Sequence, residues 1–254
     1  MRRPGRAVGP VATAVLAFAA ALDPVLLAQQ PLAESREVRQ LVTFRHLPGQ
    51  SAAALSIYRE HLVPIYRDVE AMRTVRMFGE VESPEPLDLM VVTHYADLAA
   101  MDRANAQLRR PSPDHPPVGE LYRRLSDLSL GHHDQFVELI SAPAVASLPD
   151  GALEVFEFFR LDRTSAAAFE RVALDTVHRW EQQQEIRDLV ARAETARFLI
   201  ADGWDYLRTY AVRSLGDWQR YVTLRARHGA ASVLSATTTR KTMILREIAD
   251  LRVR

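Results

Sequence analysis

The chain has 254 residues, contains no cysteine, and balances 32 basic against 32 acidic side chains. The lack of thiols excludes disulfides, thiolate zinc sites and iron–sulfur clusters. The charge balance, with Arg dispersed among Asp and Glu, excludes the basic face that binds nucleic acid or an anionic membrane.

The first residues read "MRRPGRAVGPVATAVLAFAAALDPVLLAQQ". Arg2, Arg3 and Arg6 precede an apolar run from Val11 to Leu22; Pro24 ends it and Ala28 is a small residue before Gln29. This is the layout of a signal peptide over residues 1–28, and the run is short for a membrane span of about 20 residues. An uncleaved anchor is the competing reading, since Leu26 is not the small residue preferred two places before a cleavage site. Export without disulfides predicts a periplasmic or secreted protein, soluble once the signal is removed. Its loss takes three Arg and one Asp and leaves 226 residues with a slight acidic excess, enough for two units of about 110.

Along the mature chain, "VRQLVTFRH" (38–46) is rich in β-formers and predicts a strand, ended by Pro48 and Gly49. Ser51 is the expected N-cap of a helix that buries Leu55, Tyr58, Leu62, Ile65, Val69 and Met72, with a kink at Pro64. "VRMFGEVE" (75–82), "SPEP" and "LDLMVVTHY" (87–95) predict a hairpin. Asp97 caps a helix over 97–108, a Pro-rich loop at 111–117 leads to a short helix around "VGELYRRLSDL", and "HDQFVELI" (133–140) predicts the last strand.

The order then repeats. "ALEVFEFFRL" (152–161) predicts a strand, and Thr164 or Ser165 caps a long helix reaching Val190. "TARFLIA" (195–201) and "WDYLRTYAV" (204–212) flank Asp202-Gly203, a strong hairpin signal. "SLGDWQRYVTLRAR" (214–227) predicts a helix and "RKTMILREI" (240–248) a strand. The word Ser-Ala-Ala-Ala occurs at 51–54 and again at 165–168, and the two capped helices at 97 and 214 stand at matching places.

Both halves thus read β-α-β-β-α-β, which makes a four-stranded antiparallel sheet with helices on one face. The other face carries Leu41, Met90, Val92 and Val137 and needs burial as well. The predicted fold is α+β: two tandem ferredoxin-like units, 36–145 and 150–254, whose sheets pack into one barrel. With its strand-into-capped-helix stretches "THYADLAAMDRA" and "YAVRSLGDWQRY", the chain resembles the dimeric α/β-barrel superfamily in its fused, tandem form, with monooxygenase-like and NIPSNAP-like members. That superfamily includes cofactor-free monooxygenases, haem-degrading enzymes, polyketide cyclases and haem-containing chlorite dismutases. The resemblance implies a pocket between sheet and helices in each unit, and an internal pseudo-dimer that is a monomer.

Histidine is the natural carrier of acid–base chemistry here. In the strand order 4-1-3-2 expected for such a unit, His46 ends the first strand near the start of the fourth. His46 with His132 or His133 is therefore one candidate pair, against solvated strand ends. Arg160, Arg240 and Lys241 mark the equivalent end of the second half, an anion site or a basic rim. Tyr58, His61 and Tyr66 on the first helix, with His94 on the neighbouring strand, are expected to line a pocket, with Tyr58, His61 and His94 as catalytic candidates. Plain core packing competes with that reading. Trp180 is a ligand-lining candidate in the second half, whose His178, Trp204, Tyr206, Tyr210 and Trp218 otherwise read as core.

Many monooxygenase-like members carry a His early in the second helix, where this chain has Ala104 and Tyr221. Haem-binding members use a helical His, loosely matched by His228 before Gly229. No phosphate loop, nucleophile elbow, zinc or calcium motif occurs. Three functions follow: a small-molecule-binding protein without metal or organic cofactor and with a pocket for an apolar or aromatic compound; a cofactor-independent monooxygenase or polyketide-cyclase-like enzyme; or a structural, partner-binding protein. Haem is the alternative cofactor.

Overall fold

The β-branched and aromatic side chains of Val38–His46 make this segment strand β1. The computed structural model describes residues 36–110, 113–141, 151–161, 165–200, 203–228 and 238–253. The expected signal segment 1–28, Thr164 and Asp202 lie outside the described residues.

Helix α1 (51–67) runs as Ser51–Ile57, a wide π turn Tyr58–Leu62, and Val63–Arg67. Strands β2 (Met72–Glu82) and β3 (Leu89–Tyr95) form the hairpin, followed by α2 (Leu98–Leu108), α3 (Val118–Asp127) and β4 (Ser129–Leu139). The second half has β5 (Leu153–Leu161), then α4 (166–181) as Ala166–Glu170, a π turn Arg171–Val177 and His178–Glu181. After α5 (Gln184–Arg187) come β6 (Val190–Ile200), β7 (Tyr206–Val212), α6 (Leu215–Arg227) and β8 (Thr238–Glu247).

Asp97 and Ser165 cap their helices as expected, accepting from the amides of Ala100 and Ala168; Ser214 does the same for Asp217. Ser51 does not cap α1. It is the first helical residue, and its hydroxyl donates to Asp88 at 2.9 Å. The turn before Pro64 is widened to π geometry, but the second half has the same widening at Arg171–Val177 with no proline. The π turn therefore belongs to the repeat, and Pro64 is tolerated by it. The helix expected to reach Val190 ends at Glu181, because Val190 already opens β6, and β4 begins four residues before His133. Gly203 has φ 79°, the left-handed backbone that the β6–β7 connection requires.

Each half has the strand order 4-1-3-2, and β4 pairs with β6 while β2 pairs with β8, closing one eight-stranded antiparallel barrel. Two apolar clusters lie between sheet and helices, one per half, and a third fills the barrel with Leu41, Phe78, Met90, Val137, Phe156, Phe158 and Leu245 among others. Burial of each such side chain stabilises by about 1.5–3 kcal/mol, which is why neither sheet stands alone. Residues 36–254 accordingly form one unit.

Candidate functional site

Strand parity sorts the candidate residues. Side chains alternate between the barrel interior and the helix side. On β1, Leu41 points into the barrel, whereas Val42 and Phe44 pack towards the helices. His132 pairs with Phe44 and His133 with Thr43, so the two histidines face opposite sides of the sheet.

On the helix side of the first half, Phe44 is a hub. His132 stacks on it at 5.8 Å, His46 at 6.3 Å, and Tyr58 meets it edge-on at 6.2 Å. His132 rather than His133 thus shares a face with His46, through Phe44 and without direct contact. His133 occupies the barrel side, near enough to Glu85 to lower that carboxyl's pKa alongside Lys241. His46 is buried with neither ring nitrogen hydrogen-bonded. Desolvation holds its pKa below the usual histidine value despite the nearby Asp88, so it serves as a neutral packing ring.

A polar chain runs across the same face. Tyr95 Oη donates to Gln40 Oε1 at 3.3 Å, Gln40 Nε2 donates to Asp134 Oδ1 at 2.9 Å, and His132 Nε2 lies 3.4 Å from Asp134 Oδ2. The hydrogen bond to Asp134 raises the His132 pKa above its ordinary value, against a smaller desolvation effect. Opposite this chain, the Tyr66 and Tyr122 hydroxyls meet at 3.0 Å. Burial pushes the phenols of Tyr58, Tyr66, Tyr95 and Tyr122 up, and Asp134 adds to this at Tyr58, Tyr95 and Tyr122. All four remain protonated donors at neutral pH. Tyr122 sits deep among protein atoms yet keeps 37% of its surface accessible, and Asp134 keeps 36% of its side chain accessible. Solvent thus reaches this face at Tyr122 and Asp134, while Tyr58, Tyr66 and Tyr95 lie buried behind them.

The sequence-derived set is only partly assembled. Tyr58 and Tyr66 belong to this face. His94 does not: it pairs across β1 with Arg39, points into the barrel, and its Nδ1 lies 3.1 Å from Glu37. The parity of β3 puts Tyr95, not His94, beside the helices. His61 lies outside as well, in an open cleft of about 480 Å³ between α1 and α3 with Ser56, Glu60, Arg124 and Asp127. Tyr58, His61 and His94 therefore occupy three separate environments. Gln40, Tyr95, Tyr122 and Asp134 are the members that sequence reading missed. The one available signal was period two: Gln40 and Phe44 share parity on β1, as do His132 and Asp134 on β4.

In the second half the described residues of the equivalent face are buried side chains. Trp180 is buried, 5.5 Å from Tyr221 and 5.1 Å from His228, and acts as core rather than ligand lining. Arg225 forms a bidentate pair with Glu157 (2.6 and 2.8 Å), and Tyr210 donates to the same carboxylate. Burial pushes Glu157 up, but Arg225 and these hydrogen bonds outweigh it and hold the carboxyl at about 2. Arg208 pairs with Glu181, which also accepts from Tyr221 at 2.6 Å. The basic end is neutralised too: Arg240 meets Glu157 at 3.3 Å and Lys241 pairs with Glu85.

No family model and no curated protein matches the chain. Solved structures do. A proposed monooxygenase from Fusobacterium nucleatum superposes with a TM-score of 0.63 at 6% identity, covering 85% of this chain and 94% of that one. This is the dimeric α/β-barrel fold, its two ferredoxin-like units joined in one chain. A haem-binding protein from Thermus thermophilus has a TM-score of 0.54 at 15% identity, covering 85% and 92%. A chlorite dismutase variant from Candidatus Nitrospira defluvii has 0.52 at 14%, covering 88% and 97%. At these identities the likeness establishes the α/β barrel and leaves activity to the site.

Haem-binding proteins among the structural neighbours make haem a group to test against the residues present. The tandem α/β barrel offers His228 as the helical candidate, but its ring stacks on Trp180 at the end of α6. Trp180, Trp218, Tyr221 and Arg225 pack behind it. One face of the His228 ring is thereby covered, and among the described residues no group of three His, Asp or Glu is placed to hold a metal ion.

Proposed function

We propose that the tandem α/β barrel binds a small molecule with an apolar or aromatic body on the helix side of its first half. The observation that carries this reading is convergence: Gln40, Tyr58, Tyr66, Tyr95, Tyr122 and Asp134, from β1, α1, β3, α3 and β4, meet around the accessible Asp134. Protonated phenols donate to a carbonyl or phenolate oxygen, while Phe44 and His132 offer flat surfaces to a ring. Native mass spectrometry of the full chain as purified, followed by titration of any released compound, tests this. A retained organic molecule whose affinity falls at least tenfold in both Tyr122→Phe and Asp134→Asn supports it. Unchanged affinity in both variants overturns the placement.

A second reading is favoured by one specific pair. His132 beside Asp134 is an imidazole with a raised pKa on an accessible face, the arrangement of a general base. In that case the protein is a cofactor-independent oxygenase or cyclase acting on the same ligand. His132→Asn then abolishes turnover, followed as oxygen uptake or product formation, while binding persists; loss of neither sinks the enzyme reading.

The basic and apolar pattern of residues 1–28 supports export. N-terminal sequencing of the protein recovered from the periplasm tests it: a start near Gln29 is expected, and a start at Met1 overturns cleavage.

A further inference from the structure

One end of the barrel interior is ionic, and its two ion pairs across the halves take both cations from the first half and both anions from the second. Arg39 forms a bidentate pair with Glu194 (2.5 and 3.1 Å), and Arg76 donates to Glu154 at 2.7 Å. Both pairs are buried and both join the first half to the second.

The strand registers show what these positions are to each other. Val38 faces Tyr95 as Leu153 faces Val212, so Arg39 and Glu154 occupy the same place in the two halves. Arg76 faces Val92 as Glu194 faces Thr209, so Arg76 and Glu194 are equivalent as well. The pseudo-two-fold axis therefore carries the pair Arg39–Glu194 onto Glu154–Arg76 with the charges exchanged. Two first halves assembled around that axis would bring Arg39 against Arg76; two second halves would bring Glu154 against Glu194. The neighbours leave the imbalance in place. The first half adds Glu37, whereas the second adds Glu247 and Arg192.

We propose that this charge-exchanged pair of ion pairs makes the barrel face of each half a docking surface for the opposite half alone, within the chain or from a second copy. A buried ion pair adds little stability over well-packed apolar residues, but an unpaired or like-charged contact in the same place is strongly unfavourable. Specificity against like partners is what such an arrangement supplies. Within one chain the linkage gives the correct partner a high effective concentration, so the monomer forms.

The test uses two full-length variants, R39E/R76E and E154R/E194R, refolded separately and together. Each alone has like charges facing across the barrel, and its Tm is expected to fall by roughly 10 °C or more. Refolded as an equimolar mixture, unlike halves of the two chains pair, and native mass spectrometry shows a species of one chain of each kind. Wild-type Tm and a monomer for either variant alone would overturn the proposal. So would a mixture that yields no two-chain species, including the case in which both variants stay unfolded.

Discussion

Ala104 and Tyr221 occupy the same place in the two halves, seven residues after the caps Asp97 and Ser214 of equivalent helices. Both are fully buried, yet one is a methyl group and the other a phenol donating to Glu181 at 2.6 Å. The same difference recurs one helical turn to either side, where Met101 answers Trp218 and Leu108 answers Arg225. The second half fills its helix side from α6, whereas in the first half α3 supplies Leu121, Leu125 and the accessible Tyr122. The difference concentrates the candidate site in one half.

Tyr221→Ala should therefore destabilise the protein by about 3–5 kcal/mol, since it removes a buried ring and leaves the cavity unfilled. Ala104→Tyr should cost about 1–3 kcal/mol by overpacking. Urea titrations of the two variants check this. A destabilisation by Tyr221→Ala no larger than that of Ala104→Tyr contradicts the packing difference.

The Arg225–Glu157 pair behaves as a unit. Arg225→Met alone leaves Glu157 buried and charged, with Tyr210 and the half-exposed Arg240 as its remaining partners. A loss of about 3–5 kcal/mol is expected, with much of it recovered in R225M/E157L. Denaturant melts of the three variants form the double-mutant cycle, and additive losses would show that the two residues do not act together.

Acid should open the barrel over a defined range. Burial raises Glu194 and Glu37, but Arg39 for Glu194, and His94 with Arg39 for Glu37, hold both carboxyls at about 2. Both ionise below their unfolded value, so their contribution is complete above about pH 4.5 and is lost as pH falls towards 2. His94 adds to the trend: desolvation and Arg39 lower its pKa against the pull of Glu37, so the unfolded chain takes up that proton first as pH drops below about 6.5. Urea midpoints measured from pH 8 to pH 3 should decline below pH 6.5 and fall steeply below 4.5. A flat profile would mean that these groups are not buried and paired in solution.

The hydrogen bond that His132 donates to Asp134 favours the protonated imidazole. In Asp134→Asn the His132 pKa should fall, read from the imidazole proton shifts in an NMR titration, while His46 should stay neutral down to lower pH in both proteins. An unmoved His132 titration would separate the two side chains and remove the general-base reading.

Element order, the duplication and the closed barrel were legible in the chain because they rest on local signals. The β-formers of Val38–His46, the caps Asp97 and Ser165, and the left-handed Gly203 act within a few residues of themselves. The exposed apolar second face of each sheet then left mutual packing as its means of burial. The site was legible only as far as Tyr58 and Tyr66, which lie on the buried stripe of α1, and His132 as one of two alternatives on β4. Tertiary structure decided the rest. A shift of one residue along a strand exchanges the barrel interior for the helix side, and that put His94 with Glu37 and Tyr95 with Gln40. Asp134 joins Gln40 across 94 residues of chain, and Tyr122 joins them from α3, a proximity that register and packing create. Composition likewise reported 32 charges of each sign, but only the pseudo-two-fold barrel revealed that Arg39 and Arg76 face Glu194 and Glu154 across it.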